Sequence, residues 1–307
     1  MIRNRDNKNK NIIVNKTVKS FLLLATVLSA SIILLIIWQI TKNGLKPFLT
    51  FYDGRKINFF HFIVGTRYST TNYQIGFIII NTLYVVLLAI LVSVPISVLT
   101  ALFIAKIANK HFSRILTTVI EVLAAIPSIV YGVFGAGYVT IIVKNLGNAL
   151  GIVTAGGISV LSSVLVLTMM ILPTITMLSI TAFKSVPREV EEGSLALGAS
   201  KIQTYFNVTL KAAVPGIFAG IILGVGRALG EATAVSMVAG NLSSGPSFSL
   251  FDPTRTLTST ILIGFKETEG LDYDIRFSIG MVLIAIILLV NFILNYFRKR
   301  ISDKYEN

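Results

Sequence analysis

Apolar residues in this chain come in long uninterrupted runs, not in the short alternating pattern of half-buried strands. Six of these runs, Phe21–Ile40, Gly76–Ile104, Ile115–Val143, Ile152–Thr181, Val214–Gly240 and Phe277–Phe297, reach the ~20 helical residues needed to cross a hydrocarbon core of about 30 Å. A backbone in lipid must satisfy its own hydrogen bonds, and runs of this length and uniformity do not suit barrel strands, so each predicts a helix. The expected fold class is therefore all-α, a polytopic membrane protein with six transmembrane helices. The polar intervals divide the chain into a tail at 1–20, a first helix at 21–40, an external loop at 41–75, a five-helix core at 76–297 that includes a polar loop at 182–213, and a second tail at 298–307. Arg3, Arg5, Lys8, Lys10, Lys16 and Lys19 precede the first run as they would in a secretion signal. That run ends in Trp38-Gln39-Ile40-Thr41-Lys42 without a small-residue cleavage site, so it reads as a retained anchor.

Composition agrees with the pattern: 54% of the 307 residues are hydrophobic and 13% charged, which excludes a water-soluble globule. Charge then gives orientation. Seventeen of the 27 Lys and Arg fall in segments 1–20, 105–114, 182–213 and 298–307, nine fall in 41–75, 144–151 and 241–276, and Arg227 is the last. The positive-inside rule puts the richer set, with both termini, in the cytoplasm. The net charge of +13 is spread along membrane edges with no nucleic-acid motif, so membrane lipid and not nucleic acid is the expected partner of these cations. The absence of cysteine excludes disulfides and thiolate metal sites. His61 and His111 read as interfacial residues, and neither a metal nor another cofactor is expected. There is no G-x-x-x-x-G-K-[ST] loop, so any ATP that drives this protein is bound by another subunit.

The fifth run contains the one arrangement that lipid would not tolerate by chance. In GVGRALGEATAV, Arg227 and Glu231 stand four residues apart, and each charge at mid-bilayer costs roughly 2.5–3.5 kcal/mol. Gly216, Gly220 and Gly224 form a small-residue stripe, and adding seven to the last two gives Arg227 and Glu231, so the periodicity predicts one helical face directed into the bundle. Two accounts fit this placement: a structural ion pair that fixes register, or a counter-charged guanidinium whose planar donor fork meets an oxyanion in transit. Pro95, Pro127, Pro173 and Pro215 predict helix kinks, and Ser128, beside Pro127, is a further pathway candidate. Glu121, near the end of the third run, reads as a boundary residue. Leu257–Phe265 is too short to span and predicts a re-entrant or surface segment.

The polar loop reads SVPREVEEGSLALGASKIQTYFNVTLKAAVPGI from Ser185. Pro187 and the acids Glu189, Glu191 and Glu192 favour a helix start, Gly198 favours a left-handed stop, and Ser200 with Gln203 forms a capping box for a second short helix. The pattern predicts a helix, a glycine corner and a second helix on the cytoplasmic face, with Val190, Ser194 and Leu197 along one side. It resembles the EAA coupling loop of ABC-importer permeases, in which an acid, two alanines, a glycine and a terminal I-x-L-P are spaced along the loop. Glu192 matches the acid, Gly193 and Ser194 replace the alanines, Gly198 matches the glycine, Val208 and Leu210 take the last apolar positions, and Lys211 stands in place of the proline.

Several other stretches, AAIPSIVYGVFG, FIVGT, LYVVLLAILVSVPI, GRALGEATAVSMVAGN and LFDPTRTLTSTI, are similar to the C-type permease subunit of phosphate-specific ABC importers. The resemblance spans roughly residues 62 to 297. It implies a non-catalytic membrane subunit that forms half of a pathway for inorganic phosphate, with Arg227, Glu231 and Ser128 in the pathway and Glu192, Gly193, Ser194 and Gly198 at the ATPase contact. The implied partners are a sister A-type permease subunit, an ATP-binding cassette ATPase dimer and an external phosphate-binding protein. A permease for sulfate or molybdate, and an ion-coupled anion transporter acting alone, are the alternatives.

Overall fold

In the computed structural model, residues 2–52 and 56–306 are described, with side chains described from Thr17 to Ile301. The basic side chains at positions 3–16 and at 304, as well as Arg55, lie outside the described residues. The chain begins with α1 (Ile2–Leu49), followed by α2 (Phe59–Val64) and a hairpin of β1 (Tyr68–Ser69) and β2 (Asn72–Tyr73), with Tyr68 opposite Tyr73. Next come α3 (Gly76–Leu102), prolonged by a π turn to Ile107, then α4 (Lys110–Ala125), α5 (Ser128–Phe134) and α6 (Thr140–Ala149), the last two joined through a π turn. After them lie α7 (Val160–Lys184), α8 (Arg188–Ala196), α9 (Lys201–Thr204), α10 (Leu210–Gly230), α11 (Thr233–Val238), α12 (Leu257–Leu262) and α13 (Gly270–Glu306). Among the described residues, six helical segments are long and apolar enough to cross a membrane: Thr17–Leu49, Gly76–Ile107, Ser128–Ala149, Val160–Lys184, Lys201–Gly230 and Gly270–Ile301.

Three of these segments differ from the hydrophobic runs, each for a local reason. The run Ile115–Val143 breaks because Pro127 has no N–H to continue the ladder and holds Ile126 extended, with φ −65° and ψ 127°. Its second part, with α6, becomes the crossing helix. The run Ile152–Thr181 starts as a helix only at Val160, where the Ser159 hydroxyl caps the Ser162 N–H. The chain before it turns through Gly151, Gly156 and Gly157, all at positive φ. At Gly157 a Cβ would come within 1.8 Å of the Thr140 carbonyl oxygen, so only glycine fits. The run Val214–Gly240 ends as a helix at Gly230, because Glu231 is extended, with φ −75° and ψ 116°. By contrast, Pro95, Pro173 and Pro215 stay inside continuous helices.

The antiparallel pair α7 and α10 forms the centre, with α3 packed on both. The glycine stripe makes this close approach possible: added Cβ atoms on Gly216, Gly220 and Gly224 would stand 2.6 Å from Ala182, 3.1 Å from Leu178 and 2.8 Å from Ile175 on α7. The central core gathers Val85 and Ala89 of α3, Tyr131 of α5, Leu167, Ile171 and Ile175 of α7, Leu229 of α10 and Val235 of α11. A second cluster (Phe48, Phe62, Phe77, Leu257, Ile275, Ile279) closes the end that carries the hairpin. A third (Leu102, Ile104, Ile120, Phe183, Ile217) closes the opposite end, which holds the basic segments.

At the hairpin end, polar ties hold the loop against α13. The Tyr52 and Tyr73 hydroxyls donate to Asp274 and Asp272, Lys46 lies 3.8 Å from Asp274, and the Ser278 hydroxyl donates to the Gly44 carbonyl at 2.7 Å. Burial first, and then the bond to its aspartate, pushes each tyrosine's pKa above its ordinary value. α1 packs against α13, but its apolar crossing window is not buried within this chain.

Candidate functional site

α10 rises from the basic end and stops at Gly230, with Arg227 in its last turn. Two residues later α11 begins, and Glu231 stands in the gap. The gap separates the two charges that sequence periodicity had put on one helical face, and no ion pair joins them. The expectation of an Arg227–Glu231 pair on a continuous helix is therefore corrected, because the extended backbone of Glu231 swings its side chain off the face that Arg227 occupies. Each charge instead meets a helix end of opposite sign. Arg227 lies where the α10 dipole is negative, and the Glu231 carboxylate accepts the Ala234 N–H of α11 at 2.9 Å.

Arg227 uses one Nη1 bond to reach the Thr174 hydroxyl of α7 at 2.8 Å. Arg227 also lines an open cavity of about 860 Å³, together with Thr174, Leu178, Ala219, Ile222, Leu223, Gly226, Asn291 and Asn295. Arg227 is the one charged residue in that lining, and Thr174, Asn291 and Asn295 supply neutral polar groups toward the basic end. Five guanidinium donors with one protein partner leave a fork suited to an oxyanion. Glu231 is tied elsewhere: its carbonyl accepts from the Thr258 hydroxyl of α12 at 2.7 Å. This bond ties α12 to the junction of α10 and α11. α12 is the segment that sequence length alone marked as re-entrant or superficial. Leu257, Thr258, Ser259 and Thr260 are buried, and a Thr256–Ser259 capping box starts the helix.

Ser128 is the first residue of α5 and is half-buried, with no side-chain hydrogen bond. Its helix reaches the junction through Gly132, which packs on Ala234 and Met237 of α11. Tyr131, one turn on, donates to the Leu123 carbonyl at 2.8 Å. Glu121 is exposed on α4, away from the cavity lining.

The basic end carries the second candidate site. α8 starts after Pro187 and stops at Gly198, which takes the left-handed conformation with φ +84°. α9 opens on the Ser200–Gln203 capping box, with both reciprocal bonds present. Glu192 and Gly193 are exposed. Ser194 is half-buried, and its hydroxyl lies 3.0 Å from the Thr204 hydroxyl. Leu197, at 91% exposure, and Ile202, at 68%, form an apolar surface on this hairpin. Sequence reasoning missed Glu191. Its carboxylate lies 2.5 Å from Lys106 at the π-turn end of α3 and accepts the Thr209 hydroxyl at 3.0 Å. An acid directly before the motif's own acid was the available signal. Among the described residues no group of three His, Asp or Glu is placed to hold a metal.

Six membrane-length helices, a cavity with one cation at a helix break, and a helical hairpin exposed at the basic end define a membrane permease. The chain belongs to the family described as binding-protein-dependent transport system inner membrane component, whose model matches residues 93–306. It is 34% identical over 264 residues to a probable ABC transporter permease protein, YqgH, of Bacillus subtilis, covering 84% of this chain and 82% of that one. It is 32% identical to the phosphate transport system permease protein PstC of Haemophilus influenzae, covering 75% and 78% of the two chains, and 34% identical to the PstC of Pasteurella multocida, covering 74% and 75%. Among solved structures, a bacterial ABC transporter involved in alginate import aligns with a TM-score of 0.60 at 18% identity, over 92% of this chain and 97% of that one. The MetNI methionine ABC transporter aligns at 0.51 and 17% identity, over 74% and 94%. These two share the fold.

Proposed function

We propose that this protein is the C-type permease subunit of an ATP-driven importer and forms half of the membrane pathway for inorganic phosphate. One observation carries the reading: a single guanidinium, held at the broken end of α10 by Thr174, faces an otherwise neutral cavity. In that position its fork binds a tetrahedral oxyanion bidentately, and the carboxylate at the neighbouring helix end keeps the region close to neutral when the anion has left. The relatives named as phosphate permeases support phosphate over sulfate or molybdate as the cargo.

The 17-to-9 distribution of cations supports a cell-membrane orientation with the basic end and both termini in the cytoplasm. A sister A-type subunit completes the pathway, an ATPase dimer docks on the α8–α9 hairpin through Glu192, Gly193, Leu197 and Ile202, and an external phosphate-binding protein delivers cargo at the end that carries the β-hairpin. ATP binding closes the ATPase pair and moves α8. The half-buried Lys106–Glu191 bond passes that movement to α3, and through α3 to the α7–α10 pair. The domain division follows: a peripheral first helix, then a five-helix permease core.

Uptake of labelled phosphate into proteoliposomes tests this. The full complex is expected to accumulate phosphate only with ATP and the binding protein, with arsenate competing and with sulfate and molybdate failing to compete. Uptake by this chain alone under an ion gradient, or stronger competition by sulfate, contradicts it.

A further inference from the structure

Outside the cavity the hairpin end holds a second arginine whose chemistry is incomplete. Arg255 lies in the extended segment between α11 and α12, with its guanidinium carbon 5.0 Å from the centre of the Tyr68 ring. Its Nε is closed off from solvent and has no hydrogen-bond partner, and no carboxylate pairs with it among the described residues. Burial lowers its pKa; Tyr68 opposes that shift, and the positive charge of Arg276 adds to it. A partly buried cation is ordinarily paired or hydrogen-bonded, so this one calls for an anion that the chain does not itself supply.

The neighbouring segment supplies the complementary group. Gly240 and Thr254 are bridged in parallel, and one residue beyond them stand Asn241 and Arg255. Asn241 donates Nδ2 to the Ser236 carbonyl at 3.2 Å, which fixes the amide orientation and leaves Oδ1 as a buried acceptor without a donor. Two segments joined by a backbone bridge therefore carry, one residue beyond it, one unfilled donor and one unfilled acceptor. Sulfate offers only acceptors at neutral pH, whereas a phosphate that keeps a proton offers both acceptors and one O–H donor.

We propose that Arg255 and Asn241 form an outer receiving site for a protonated oxyanion, the step before Arg227. The site rests on the transport reading above. Its position suits the role, because three residues of chain, at most about 10 Å when extended, separate Arg255 from Thr258, whose hydroxyl bonds to the Glu231 carbonyl at the helix break.

The test uses the assembled complex in nanodiscs. Arginine modification by phenylglyoxal is followed at Arg255 by peptide mass analysis, with phosphate, with sulfate at equal ionic strength, or with phosphate-free binding protein. Phosphate at twice its dissociation constant leaves about one third of the sites free and is expected to slow modification about threefold, with no effect of sulfate. In uptake assays Arg255→Gln, at equal abundance and equal ATPase association, should reduce transport by about tenfold, as loss of a charge-assisted hydrogen bond predicts. Asn241→Asp, which puts a negative charge beside the anion, should reduce it as well.

Equal protection by sulfate overturns the proposal. So does protection by the binding protein but not by phosphate, which makes Arg255 a docking contact, or an Arg255 that is unreactive throughout, which places it under the sister subunit. Normal phosphate uptake by the unaltered complex without protection at Arg255 removes this inference alone. An unaltered complex that carries no phosphate removes the transport reading and this inference together.

Discussion

At the residue scale, Arg227 and Glu231 illustrate how two charges can share a helix break without sharing a bond. Each compensates the end of its own helix, an effect of about 0.3–1 kcal/mol at exposed sites and up to ~2 kcal/mol when partly buried. Because no ion pair joins them, their contributions to stability should be additive. In a double-mutant cycle with Arg227→Gln and Glu231→Gln, followed by thermal unfolding, the coupling energy is expected to stay within about 0.5 kcal/mol. Phosphate uptake should be lost in Arg227→Gln and should not return in the double variant. Arg227→Lys keeps the charge but not the planar fork, so it should fold normally and transport only in part. Recovery of uptake in the double variant would show that the two residues serve only to neutralise each other. The sequence showed that these charges were special, since charge in an apolar run is costly. It did not show that they were unpaired, because i, i+4 spacing implies contact only if the helix continues.

At the element scale, the α8–α9 hairpin was readable in detail, because capping and left-handed corners follow local rules. Gly198 has open space around it, so a substitution there meets backbone strain and no clash. Gly198→Val puts a β-branched residue in the left-handed region at a cost of about 1–2 kcal/mol or more. The variant is expected to insert and to keep its helical content, while losing co-purification with the ATPase. Retained co-purification together with full transport would remove the coupling role. The broken helices were less legible. Pro127 breaks a run where Pro95, Pro173 and Pro215 only interrupt one, and the four look alike in sequence. The difference lies in what surrounds each proline: Gly132 and Gly135 let α5 and the turn after it settle on α11 and α7 once the break has been made. The end of α10 did carry a signal, since a basic residue in the last turn followed by glycine is an ordinary helix stop. The hydrophobicity of Ala232–Gly240 concealed it.

At the scale of the whole molecule, the six-helix plan was legible because hydrocarbon thickness fixes helix length, and the antiparallel α7–α10 pairing was foreshadowed by the glycine stripe. The layering of α5, α11 and α12 was not legible, since it depends on contacts far apart in sequence. An example is the Thr82 hydroxyl that accepts the Leu257 N–H at 3.0 Å. The orientation is testable because the chain has no cysteine background. Lys110→Cys and Gly193→Cys are expected to react with a membrane-impermeant maleimide only after the membrane is opened, and Thr71→Cys in intact cells. Reaction of Gly193→Cys from outside would invert the topology and remove the ATPase contact with it.

The short helices at the break also constrain the order in which the protein can be built. α11 and α12 have six residues each, well below the ~12–15 at which an isolated helix becomes even marginally stable, and unsatisfied backbone groups are costly in lipid. Neither helix can enter the membrane as an independent unit. Residues 231–269 must wait at the surface until α3 and α13 stand as walls, and α13 follows them in the chain, so it leaves the ribosome after them. Closure of the hairpin end therefore has to follow the synthesis of α13, so a chain cut before α13 lacks that closure however well its earlier helices have inserted.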